Sequence, residues 1–134
     1  MADVLYNVTM LFADIVRFTD YSSGREPVEV VKMLSQLYQD FDDSCKITNV
    51  YKVHTIGDCY VVMSFTGKVP LNERNYHEEA KSVVRMGQRM IEIIRRVRKD
   101  VNFEQLDMRI GIHTVKILFI FRALLLLGLL AQKL

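Results

Sequence analysis

Two carboxylates in this sequence stand where their spacing allows chemistry. Asp14 closes the apolar run VLYNVTMLFAD, and Asp58 sits at the corner of YKVHTIGDCY, next to Gly57 and close to His54. A tight turn needs a small residue such as Gly57, but it does not need a carboxylate and an imidazole around it. Two carboxylates brought together on backbone that cannot slide suit a hard octahedral cation such as Mg²⁺. That ion accepts few protein oxygens and completes its shell with phosphates and water. Without a cation the pair would repel itself. The residues after Asp14, IVRFT, lead toward a helix and carry backbone N–H groups able to receive phosphate oxygens. For each acid taken singly, a solvated or capping role in a turn is the commoner outcome, so the case depends on whether the fold brings the two together.

The pattern of the chain supplies elements that do so. Residues 4–14 read as a strand that becomes fully buried toward its end. After the polar turn SSGREP, Pro27 suits a first helical turn, and Val30, Leu34, Leu37, Tyr38, Phe41 and Cys45 recur at helical spacing over about 27–46. Runs 50–56 and 58–65 flank Gly57 as a hairpin. Asn75 with Glu78 resembles a capping box for a second helix ending near residue 99, and LDMRIGIHT (106–114) reads as a fourth strand. The order β-α-β-β-α-β predicts an α+β, ferredoxin-like fold: a four-stranded antiparallel sheet with both helices on one face. In it the first strand neighbours the hairpin strand leading away from Asp58, so the two acids become neighbours.

Composition bounds the rest. A chain of 134 residues, half hydrophobic and 25% charged, is one domain of ordinary globular character. A formal charge of +2 gives no reason to expect a nucleic-acid partner, and the basic run Arg95, Arg96, Arg98, Lys99 suits the end of a helix dipole. Two cysteines, Cys45 and Cys59, make no disulfide framework, and MADVLYNVTML lacks the features of a secretory signal. The division expected is a core over 1–114 and an apolar tail, VKILFIFRALLLLGLLAQKL, over 115–134. Lys116 and Arg122 interrupt that tail short of the roughly 20 apolar residues of a membrane span. A partner-binding helix, or sequence that replaces the proper continuation of the domain, is the alternative for it.

Three ordered segments carry a resemblance. VTMLFADIVRFTDYSS and VYKVHTIGDCYVVMS resemble the two signature segments of the class III nucleotidyl cyclase catalytic domain, and LDMRIGIHT resembles a third. VHTIGDCYVVMSFTG is especially similar to guanylyl cyclases of ciliates and apicomplexan parasites. The resemblance implies a half-domain that converts a nucleoside triphosphate, GTP before ATP, to the 3′,5′-cyclic monophosphate and pyrophosphate. It implies that Asp14 and Asp58 hold two Mg²⁺ ions, replaceable by Mn²⁺, with help from the Ile15 carbonyl. The nucleotide would be held by the backbone of Val16, Arg17, Phe18 and Thr19, by Ile56 and Gly57, and by Arg109 neutralising phosphate charge. His54 falls where the family often carries a purine-reading residue, and Arg17 where many relatives have Gly.

The resemblance also implies a second cyclase domain as partner and a place on the cytoplasmic face, in some relatives as part of a membrane-anchored protein. It further implies, past the fourth strand, a segment with an Asn and an Arg that stabilise the transition state. Nothing in residues 115–134 resembles that segment, so a homodimer of this chain is expected to be nearly inactive. Losing charge stabilisation at a transferring phosphoryl group costs on the order of several kcal/mol, roughly three orders of magnitude in rate. A noncatalytic module that binds nucleotide or regulates a complete cyclase is the alternative. A diguanylate-type cyclase fits less well, because IGDCY is a poor substitute for that family's Gly-Gly-Asp/Glu-Glu-Phe turn.

Overall fold

A computed structural model describes residues 2–56 and 58–120. Strand β1 (Ala2–Val16) leads through Arg17 into a short helix α1 (Phe18–Ser23), then α2 (Pro27–Thr48). Strands β2 (Tyr51–Ile56) and β3 (Cys59–Met63) form the hairpin, α3 (Tyr76–Asp100) follows, and β4 (Asp107–Ile120) closes the described chain. The sheet order β2-β3-β1-β4 is antiparallel throughout, with β1 central and beside β3 as expected.

Alternation along β1 and β3 explains how the layers assemble. Leu11, Ala13 and Ile15 of β1, with Tyr60 and Val62 of β3, face the two long helices. There they pack against Leu37 and Phe41 of α2 and Val83, Met90 and Ile94 of α3. The intervening residues Val8, Met10, Val61 and Met63 form a second buried cluster on the opposite face. Helix α2 starts with Pro27 in its first turn and a reciprocal capping box between Glu26 and Glu29. At α3 only half of the expected box forms. Asn75 Oδ1 accepts from the Glu78 amide at 3.2 Å, while the Glu78 carboxylate turns to Lys81 at 3.0 Å.

Two elements differ from the sequence expectation. Residues 18–23, expected as approach and turn, form α1, which buries a single side chain, Tyr21, and therefore shows no apolar period. Strand β4 does not end at Thr114. It continues to Ile120 by pairing with the start of β1, with Ile117 opposite Leu5 and Ile120 opposite Ala2. An apolar run without alternation looks helical or membrane-like by itself, and a long-range partner strand makes it β. The expectations of a helix or span farther along the tail fall on 121–134, outside the described residues. The basic end of α3 is tied within the fold: Arg96 pairs with Asp40 at 2.8 Å, and Arg98 donates to the Leu106 carbonyl and pairs with Asp107.

Candidate active site

The register of the sheet brings the two acids to one end of it. Asp14 lies opposite Cys59 in the β1–β3 ladder and opposite Arg109 in the β1–β4 ladder, while Asp58 immediately precedes Cys59 in the hairpin turn. Asp14, Ile15, Val16, Arg17, Phe18, Thr19, Asp58 and Arg109 all line one open cleft of about 270 Å³. Asp20 lines it too, which sequence reasoning missed. Its only signal was its place just after Thr19, and its carboxylate pairs with Arg17 at 2.9 Å.

The local backbone explains an unusual residue. Arg17 adopts φ 64°, ψ 21°, the left-handed conformation that glycine enters freely. This is the position where the resemblance puts Gly in many relatives, and Arg makes the same turn at a cost of about 1–2 kcal/mol. The turn redirects the chain from β1 into α1, whose first closing bond runs from the Tyr21 amide to the Arg17 carbonyl at 2.9 Å.

Electrostatics at the cleft follow from the paired acids. Arg109 grips Asp14 with both arms of its fork, Nε to Oδ1 at 3.1 Å and Nη2 to Oδ2 at 3.0 Å. That bond, the Asp14 charge and then the Asp58 charge push the Arg109 guanidinium further toward its protonated form. Burial raises the Cys59 thiol above its usual range, and the charges of Asp14 and Asp58 raise it further. Burial likewise raises the Tyr38 phenol, with Asp58 and Cys59 adding to the effect.

Among the described residues no group of three or more His, Cys, Asp or Glu side chains gathers as a cage. A divalent cation in the cleft would find the carboxylates of Asp14 and Asp58 and the Ile15 carbonyl. That all-oxygen set fits Mg²⁺ or Mn²⁺ completing their shells from water and phosphate, and lacks the nitrogen or sulfur ligands a zinc site uses. The backbones of His54 and Ile56 lie on β2 opposite Val61 and Cys59. Their side chains, and all of Gly57, are outside what is described. A larger cleft of about 440 Å³ between α1, α2 and the end of α3 balances Arg25 and Lys32 against Glu29 and Asp100, and does not adjoin the paired acids.

This fold belongs to a known class of catalytic domain. Residues 2–120 match the family described as the adenylate and guanylate cyclase catalytic domain, and the chain belongs to that family. It is 41% identical over 113 residues to the head-specific guanylate cyclase of Drosophila melanogaster, covering 84% of this chain and 16% of that protein. It is 38% identical over 114 residues to atrial natriuretic peptide receptor 2 of Rattus norvegicus, covering 84% of this chain and 10% of the receptor. The chain thus spans a small part of the curated relatives it matches. The guanylate cyclase domain of RhGC from Catenaria anguillulae, solved in complex with GTP, superposes with a TM-score of 0.69 at 29% identity, covering 85% of this chain and 59% of that one.

Proposed function

We propose that this chain supplies the metal-bearing half of a guanylyl cyclase site, converting GTP to the 3′,5′-cyclic monophosphate and pyrophosphate beside a second cyclase domain. The observation that carries the reading is the convergence of Asp14, Asp58 and Arg109 on one cleft at the end of β1. The guanylate cyclases among its relatives support GTP over ATP.

In this reading Asp14 and Asp58, with the Ile15 carbonyl, hold two Mg²⁺ ions, for which Mn²⁺ can substitute. When bound, the ions supply the acidified ribose 3′-hydroxyl and the positive charge that stabilises leaving pyrophosphate. The backbone from Val16 to Thr19 cradles the triphosphate, the backbone around Ile56 and Gly57 borders it, and Arg109 neutralises phosphate charge. The 3′-oxygen forms its bond to the α-phosphorus in line as the bond to the β-phosphate bridge breaks, so the chain works by positioning and charge with no covalent intermediate. His54 is proposed as a second-tier contact, structural or toward the base. Residues 1–114 carry these groups.

No helix among the described residues is long and apolar enough to cross a membrane. A place on the cytoplasmic face, as part of a larger membrane-anchored cyclase, belongs to the proposal through the resemblance alone. The test is formation of cyclic nucleotide from GTP and from ATP, with Mg²⁺ or Mn²⁺, by the chain alone and co-expressed with a complete cyclase domain. Turnover with the partner that disappears in Asp58→Ala supports the reading. Nucleotide binding without turnover in that mixture would instead assign a regulatory role.

A further inference from the structure

We infer that Arg109 competes with divalent cation for Asp14, so that nucleotide phosphate, by drawing the guanidinium away, opens the carboxylate to the metal. The inference rests on the cyclase reading of the cleft. Its basis is that both Asp14 oxygens are already engaged, Oδ1 by Arg109 Nε at 3.1 Å and Oδ2 by Nη2 at 3.0 Å. A cation approaching either oxygen meets a positive group already bonded there. The grip is set by the fold, because Asp14 and Arg109 are direct partners in the β1–β4 ladder.

The same pair is built to come apart. The Arg109 side chain is 74% exposed and that of Asp14 36%, so water replaces what the ion pair loses and the guanidinium moves without unpacking the core. Exposed pairs of this kind are weak and a triphosphate is the stronger acceptor, so phosphate wins the fork once nucleotide is in the cleft. Arg109 is thus a positioning residue for Asp14 before it is a phosphate ligand. Cation and nucleotide would then bind with positive coupling, each raising the affinity for the other by the same factor. Metal would load poorly on the nucleotide-free chain and readily beside a bound triphosphate.

The test is a titration of the full chain with Mn²⁺ in the absence of nucleotide, following free Mn²⁺ by its paramagnetic resonance signal. Arg109→Lys keeps the charge but replaces the planar fork by a single compact ammonium, and Arg109→Gln removes the charge as well. Competition for the carboxylate predicts that Arg109→Lys tightens Mn²⁺ binding about two- to fivefold, the scale of an exposed ion pair, and that Arg109→Gln tightens it at least as much. If Arg109→Lys binds Mn²⁺ as the unaltered chain does and only Arg109→Gln tightens it, Arg109 acts through its charge alone and the competition is refuted. Asp14→Ala separates the two levels of the argument. Loss of Mn²⁺ binding in that variant supports the metal reading, whereas unchanged binding overturns that reading and the competition with it.

Discussion

Asp14 faces Cys59 across the β1–β3 ladder, and this one register position puts Asp58, the residue before Cys59, beside it at the end of the sheet. A register slip of one residue would turn Asp14 to the other face and separate the two carboxylates. The Cys59 thiol reports on the arrangement, because both charges hold its pKa up on top of burial. Asp58→Asn should therefore lower that pKa and speed alkylation of Cys59 at pH 8 several-fold. Peptide mapping by mass spectrometry checks this, with buried Cys45 as the slow internal reference. An unchanged rate would mean that Asp58 is not near the thiol.

The hairpin that carries Asp58 is tied to α2 through Tyr60. Its hydroxyl donates to Asp42 Oδ1 at 2.6 Å, Asp42 also pairs with Lys52 at 2.9 Å, and the Tyr60 ring packs edge-on against Phe41. Tyr60→Phe keeps the ring and should cost about 1.5–3 kcal/mol in urea unfolding, the range for a hydrogen bond to a charged group. It should also change the alkaline limb of the stability profile. Burial first, then the bonds to Asp42 and Cys45, hold the Tyr60 phenol protonated in the folded chain far above its ordinary value of 10.0. A folded pKa raised in this way contributes stability that is complete below the unfolded pKa. As pH rises above about 10 the unfolded state releases the proton first and stability falls, by up to about 1.4 kcal/mol per pH unit. The Phe variant should show a shallower decline, with Tyr38 and the two cysteines, also raised, contributing to what remains.

Arg74 anchors the bulge in the first half of β1. Its side chain is 2% exposed, it pairs with Glu79 at 2.7 Å, and it donates to the carbonyls of Tyr6 and Asn7, where β1 bulges and Asn7 takes a positive φ of 52°. Arg74→Ala would strand a largely buried carboxylate and release the two carbonyls to water. We expect a loss of about 3–5 kcal/mol by chemical denaturation. A loss below 1 kcal/mol would show that water reaches the site.

Gly87 faces the sheet from α3. A Cβ added there would sit 3.4 Å from Leu11 Cδ1 and 3.7 Å from Ile110 and Ile112 side-chain carbons, which is ordinary contact. Gly87→Ala should be neutral or stabilising by up to about 1 kcal/mol through helix propensity. Gly87→Leu should destabilise by about 1–3 kcal/mol through overpacking, with both read as shifts in thermal midpoint.

Much of this was legible because the relevant signals are local. Apolar and β-branched runs identified β1 and the hairpin strands, the 3.6-residue period identified α2 and α3, and the Gly57–Asp58 corner marked the hairpin. Together they fixed the topology that joins the two acids. What was not legible depends on partners distant in sequence. Residues 115–120 look like an apolar tail until β1 is placed alongside them, and α1 is too short and too polar to show a period. The Arg109 fork on Asp14 is a cross-strand relationship. The sequence offered Arg109 as a phosphate ligand through a motif, but only the register shows whose carboxylate it holds first.

The central claim is that the Asp14–Asp58 corner is a metal and nucleotide site. It is tested most directly by calorimetric titration of a non-hydrolysable GTP analogue with Mg²⁺ into the chain and into its Asp14→Ala and Asp58→Ala variants, each confirmed folded by circular dichroism. We expect Mg²⁺-dependent binding in the unaltered chain, lost in both variants with the fold retained. Binding that survives both substitutions would make the corner a structural turn and contradict the account.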